Sequence, residues 1–214
     1  MTRETLFNRI KSNLNDTEKL KHYLVSLQNV DLATNPNAYN ELSTNAAYQA
    51  ERITERLRRI IYTTTNIPKA EYLNNAAEHL SISVDRTQEG IVEIILPCLI
   101  PKRSKNSTNF IIDPLHVKLS EFTSENNLGK FRECVVCFIN VYDKDLPERR
   151  VRDHDNIEMK SILDTINAYL LVDDGGLLCE FFCSSKLGDS DYTQIFIMHK
   201  DMFPKWVLRY ENAA

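Results

Sequence analysis

At Ile82 the spacing of apolar residues changes period, and no other feature limits what this chain can fold into so strongly. Before it, apolar side chains recur every three to four residues with no glycine among them. After it they alternate, first at Ile82 and Val84 and then within Ile91 to Leu96. A period near 3.6 lays a stripe along a helix, whereas a period of two lays one face on a strand. The expected class is therefore α+β: a helical N-terminal region over residues 1–80, then a mixed α/β domain over 81–214 with a central β-sheet and packed helices.

In the first region Leu6, Ile10, Leu14, Leu20, Leu24 and Leu27 keep helical spacing up to a turn at Asn29 to Asn37. They predict one helix, or two with a break near Asn15. Leu42, Ala46, Ala50, Ile53, Leu57, Ile60 and Ile61 predict a second helix from about Tyr39 to Tyr62, and the pair would form an antiparallel hairpin. Residues 63–68 break it, and Lys69 to His79 reads as a short third helix. Arg52, Arg56 and Arg59 either reach a phosphate or form a solvated face. Further on, Ser81–Asp85 and Ile91–Leu96 read as a β-hairpin followed by a basic loop, Pro101 to Ser107. Asp113–Asn126 is expected to be helical, Phe131–Tyr142 a central strand, Asn156–Leu170 helical, and Leu177–Cys183 and Thr193–Met198 strands. Phe203 to Tyr210 is left unassigned.

The longest apolar stretch, Ile91 to Ile100, is interrupted by Glu93 and Pro97. It falls short of the roughly 20 residues that span a bilayer, so no membrane segment is expected. The first residues lack the apolar run of a secretory signal, and a cytoplasmic protein follows as the expectation. Cys98, Cys134, Cys137, Cys179 and Cys183 lie within apolar runs, as buried free thiols do in a reducing compartment. The sharper alternative is a zinc site built from Cys134, Cys137, Cys179 and Cys183. A net charge of -4 counts against indiscriminate nucleic-acid binding, though not against a basic patch on one face.

The densest chemistry lies between Arg149 and Asp174. Asp153 and Asp155 stand two apart on the approach to a helix, so an extended backbone would project both carboxylates to one side and turn His154 to the other. Met159, Ile162, Leu163, Ile166, Tyr169 and Leu170 give that helix one apolar face, after which Asp173 and Asp174 arrive before the next strand. Carboxylates gathered in one place repel one another unless a cation joins them. Mg²⁺, or Mn²⁺, suits such oxygen ligands and the hydrolysis of a phosphodiester. Lys160 on the helix would stabilise the developing negative charge. Arg149, Arg150 and Arg152, with Lys102, Arg103 and Lys105 of the basic loop, are the candidate DNA contacts. Taken singly, the same residues also read as a helix cap, an i,i+4 surface pair of Lys160 with Asp164, and a polar turn at Asp173 to Gly176.

At these residues the sequence resembles the RusA family of Holliday junction resolvases. The resemblance rests on Asp153-His154-Asp155-Asn156, Lys160, Asp164 and the pair Asp173-Asp174, and it spans about Ile91 to Met198. Three residues separate Asn156 from Lys160 here, where the family usually has two. The resemblance implies a Mg²⁺-dependent homodimer that nicks branched DNA, with Asp153, Asp155 and Asp174 as metal carboxylates, Asp173 beside them, and Lys160 as the basic helper. The whole chain is also similar to an uncharacterised group of bacterial proteins associated with mobile elements. A non-catalytic descendant of the resolvase fold, binding DNA or engaging a protein partner through the N-terminal helices, is the competing expectation. The nuclease expectation carries a geometric condition: Asp153, Asp155 and Asp174 must converge.

Overall fold

The computed structural model describes residues 2–101, 109–146, 148 and 151–213, and it divides the chain into two compact units, Met1–Lys69 and Ala70–Ala214. It is an α+β protein, as the change of period requires. The division falls eleven residues earlier than the helical pattern alone predicts. The third helix, α3 (Lys69–His79), belongs to the second unit because Ala77 is fully buried in the same apolar cluster as the sheet.

The first unit is a helical hairpin of α1 (Arg3–Gln28) and α2 (Pro36–Thr64). Thr2 caps α1 by accepting a bond from the Thr5 amide, and Glu4 in the first turn complements the helix dipole. The helix runs through Asn15 without a break. Asn35 caps α2 from Pro36 onward, by accepting from the Ala38 amide. The two helices meet along Leu6, Asn13, Asp16, Leu20, Tyr23 and Leu27 of α1, the residues of that helix most withdrawn from solvent in 3-4 spacing. Ile10, Leu14 and Leu24, expected on that stripe, lie on another face and are exposed. The most deeply buried α1 residues are polar, Asn13 and Asp16.

The second unit is built on a five-stranded sheet in the order β1 (Ser83–Arg86), β2 (Val92–Leu96), β5 (Tyr192–His199), β3 (Cys134–Asp143), β4 (Cys179–Gly188). The β1–β2 turn closes through the Gly90 amide bonding to the Thr87 carbonyl, with Gly90 at a φ of 84° that favours glycine. All pairings are antiparallel except β3 with β4, the pair connected through a helix, as a parallel connection demands. On one face lie α3, α4 (Asn109–Asn126) and α5 (Lys160–Leu170), which deliver Ala77, Leu115, Leu119, Ile162 and Ile166 to a core with Val136, Phe138, Ile195 and Ile197. On the other lies α6 (Phe203–Ala213), the unassigned tail, whose Trp206 covers Val135, Cys137, Ile139 and Met198. Covered on both faces, β3 is buried at every position but its last. Its neighbour β4 forms an edge and ends at Gly188, where a Cβ would come within 2.5 Å of Val141 Cγ1. Among the described residues no helix is long and apolar enough to cross a membrane.

Candidate functional site

Two of the described candidate segments are tied to β4: His154 meets Ser185 of that strand, and the charge of Asp174 acts on Cys179 at its start. After β3 the chain turns back, and the Arg152 amide donates to the Tyr142 hydroxyl while the Arg152 guanidinium donates to the Ile100 carbonyl at 2.6 Å. Arg152, expected to face DNA, is half-buried and spends its charge on the backbone. Lys102, Arg103, Lys105, Arg149 and Arg150 lie outside the described residues.

Asp153 is extended, but His154–Asn156 is a turn of 3₁₀ helix. The alternation expected of an extended Asp153-His154-Asp155 segment is thereby replaced. His154 is half-buried, not an exposed neighbour, and its Nε2 lies 3.1 Å from Ser185 Oγ on β4. Asp153 and Asp155 remain exposed on either side of it. Ile157 is buried and the Glu158 amide donates to the Pro101 carbonyl, so the segment after Asn156 is pinned before any α-helix begins. The helix starts at Lys160 and not at Asn156, with Glu158 accepting from the Ser161 amide and hydroxyl. The added residue before Lys160 therefore lies in non-helical chain, where the 100° rotation per residue of an ideal helix does not apply.

Lys160 binds both carboxylate oxygens of Asp164, at 2.9 and 2.8 Å. That bond, reinforced by the charges of Asp164, Asp174 and Glu158, holds the Lys160 ammonium above its usual range. Asp174, half-buried, thus lies within electrostatic reach of Lys160, and its charge also acts on the Cys179 thiol at the start of β4. Asp173 beside it is exposed. His154 sits at Ser185, six residues further along β4 than Cys179, or about 20 Å on an extended strand. Asp153 and Asp155 accordingly flank one end of β4, and Asp174 belongs to the neighbourhood of the other. Among the described residues no group of three or more His, Cys, Asp or Glu side chains is placed to hold a metal ion.

Two arrangements were hidden from the sequence. Thr193, Asn140 and Ser185 are register partners across β5, β3 and β4, which makes a row of three polar residues across the middle of the sheet. Thr193 Oγ1 lies 3.4 Å from Asn140 Oδ1 and donates to the Cys98 carbonyl at 3.0 Å, and His154 joins the row at Ser185. The only hint was Asn140 inside a β-prone run. The cysteines also divide. Cys134 and Cys179 face each other across β3 and β4, and the hydrogen bond between their thiols lowers Cys179 and raises Cys134. Cys183 meets Met159 Sδ at 3.8 Å, while Cys137 packs on the opposite face of the sheet. All five are free, and a zinc site from Cys134, Cys137, Cys179 and Cys183 is ruled out by that alternation.

The chain belongs to the family of unknown function DUF6100, whose model matches residues 2–214. No curated protein matches it. Among solved structures it is similar to a candidate translation initiation inhibitor from Salmonella typhimurium, at 9% identity and a TM-score of 0.23 over 56% of this chain and 98% of that one. A likeness so slight carries no argument about fold or activity.

Proposed function

We propose that the Ala70–Ala214 unit is a metal-dependent, structure-selective endonuclease acting on branched DNA as a homodimer. One observation carries the reading. Asp153 and Asp155 are held exposed around His154 at the carboxyl end of β3 and β4, where α/β sheets commonly carry their sites. Lys160, at the start of α5, lies within electrostatic reach of Asp174. The edge position of β4 supports the dimer, since a ten-residue strand with no strand on its outer side among the described residues offers backbone groups to a second copy.

Among the described residues the convergence of Asp153, Asp155 and Asp174 that cleavage requires is not met, and no three such side chains are placed to hold a metal ion. Cleavage through Asp153, Asp155 and Asp174 requires the loop bearing Asp174 to move toward the His154 turn. That same observation, with Lys160 engaged by Asp164, favours a second reading: a resolvase-like module that binds branched DNA without cutting it.

A labelled four-way junction, with matched duplex as control, separates the two when incubated with Mg²⁺ or Mn²⁺. Paired nicks that disappear in Asp155→Asn are the expected result. Junction binding without nicks, unaffected by chelation, would leave the second reading standing, and neither binding nor nicking would remove both.

A further inference from the structure

The hairpin carries a groove that the DNA reading does not use. It encloses about 240 Å³ between α1 and α2 and is lined by Arg9, Ser12, Asn13, Arg56 and Arg59. Three arginines line it, and their charges are unequally spent. Arg56 is engaged by the buried carboxylate of Asp16 and donates to Ser12 Oγ at 2.8 Å. Arg59 is bound only to Glu55 on the same helix, in a pair whose side chains are both largely exposed and which therefore contributes little. Arg9 has no ion pair or hydrogen-bond partner among the described residues.

Asn13 supplies a second, independent observation. It is 94% buried on the groove wall, yet neither its amide nitrogen nor its carbonyl oxygen has a partner. An orphaned buried amide is costly, and a native chain that keeps one ordinarily has a ligand, an ion or water to satisfy it. Water would satisfy the amide but would leave the arginines unaccounted for; an anion satisfies both. The groove is smaller than the roughly 300–1,000 Å³ of sites that enclose drug-sized molecules. It therefore suits a compact anion with several acceptor oxygens.

The geometry points to a phosphate-binding site in the helical hairpin, in which Arg9 and Arg59 supply charge and the Asn13 amide a directed hydrogen bond. Arginine forks match phosphate oxygens in bidentate fashion, and such charge-assisted bonds outcompete an exposed Arg–Glu pair. The site lies wholly within the first unit and is independent of any strand cleavage by the second.

The test is calorimetric titration of the full chain with inorganic phosphate, at an ionic strength held constant with chloride. A parallel arm uses a nucleoside monophosphate. Saturable one-to-one binding is expected, weakened about tenfold or more by Arg9→Ala and by Asn13→Leu. Asn13→Leu should also raise the melting temperature measured without phosphate, because it removes the orphaned amide, and that rise shows the variant to be folded. Tighter binding of the monophosphate would identify an ester as the source, and equal binding the free ion. Absence of saturable binding in both arms, or binding that survives both substitutions, overturns the assignment.

Discussion

The two units bury opposite kinds of residue. In the sheet unit Phe138, Ile139, Ile162, Ile166 and Ile195 are wholly withdrawn from water. In the hairpin, among the described residues, Ala46 is the only buried apolar side chain, beside the polar Asn13, Asp16, Gln49 and Arg58. Several of its large apolar residues face outward, with Phe7 65% and Leu14 61% exposed, while Leu6, Leu20, Leu27, Ile53 and Ile60 are only half-buried. Burial of apolar surface at about 25 cal/mol per Å² drives folding, so the sheet unit has the material for independent stability and the hairpin has little. What specifies the hairpin is polar: the Gln49 amide on the Asp16 carbonyl, and Arg56 on Ser12 and Asp16. Buried polar groups set register more readily than they add stability. One unit is thus held by its core, and the other is aligned by its contacts.

The sharpest way to break that comparison is a matched pair of truncations. Phe138→Ala is expected to destabilise the sheet unit by about 3–5 kcal/mol, and Phe7→Ala to change the stability of the hairpin by less than about 0.5 kcal/mol. Urea denaturation, followed by tertiary signals in each unit, measures both. A large, concentration-dependent cost for Phe7→Ala would mean that the exposed stripe is covered in solution. Next in size is Arg56→Ala, which leaves the Asp16 carboxylate buried beside Lys19 at 4.0 Å and should cost the hairpin about 2 kcal/mol. Loss of helical circular dichroism at lower temperature is the readout, and an unchanged midpoint would show that the polar contacts align nothing.

The smallest effect is one of alkaline pH, and it belongs to the sheet unit, which holds all five cysteines. Burial pushes the thiol of Cys137 up to about 12 and those of Cys98 and Cys183 up to about 11, from an ordinary value of 9.0. The unfolded chain loses these protons first as pH rises, so the folded state binds more protons between pH 9 and 12 and its stability falls across that window. Below pH 9 the contribution is fully present. Melting temperature followed from pH 8 to 11 should decline, and the decline should be shallower in Cys137→Ala.

These differences also mark what the sequence could and could not disclose. Period alone placed α2, α3, the β1–β2 hairpin and β3, because tertiary packing agreed with local preference there. It could not assign α1 a side. Leu6 and Ile10 are both compatible with one helical stripe, and only the partner helix decides that Leu6 turns inward while Ile10 turns out. The start of α5 was misplaced because Ile157, apolar and in phase, is buried in extended chain tied down through the Glu158 amide to Pro101. Within the site, the Lys160–Asp164 pair was readable as a surface pair from its spacing. The bond from His154 to Ser185 joins residues 31 positions apart and left no trace in local pattern.

The position of β5 carries a consequence for how the molecule is made. The last strand in the chain lies between β2 and β3, at the middle of the sheet. On a ribosome adding about 5–20 residues per second, the β1–β2 and β3–β4 pairs emerge first, as two separate ribbons with nothing to join them. Two-stranded ribbons are marginal in water. A transcript cut short before Tyr192 would therefore lose the whole sheet and not merely one strand of it, and quality control would meet an open, apolar nascent chain until β5 has been made.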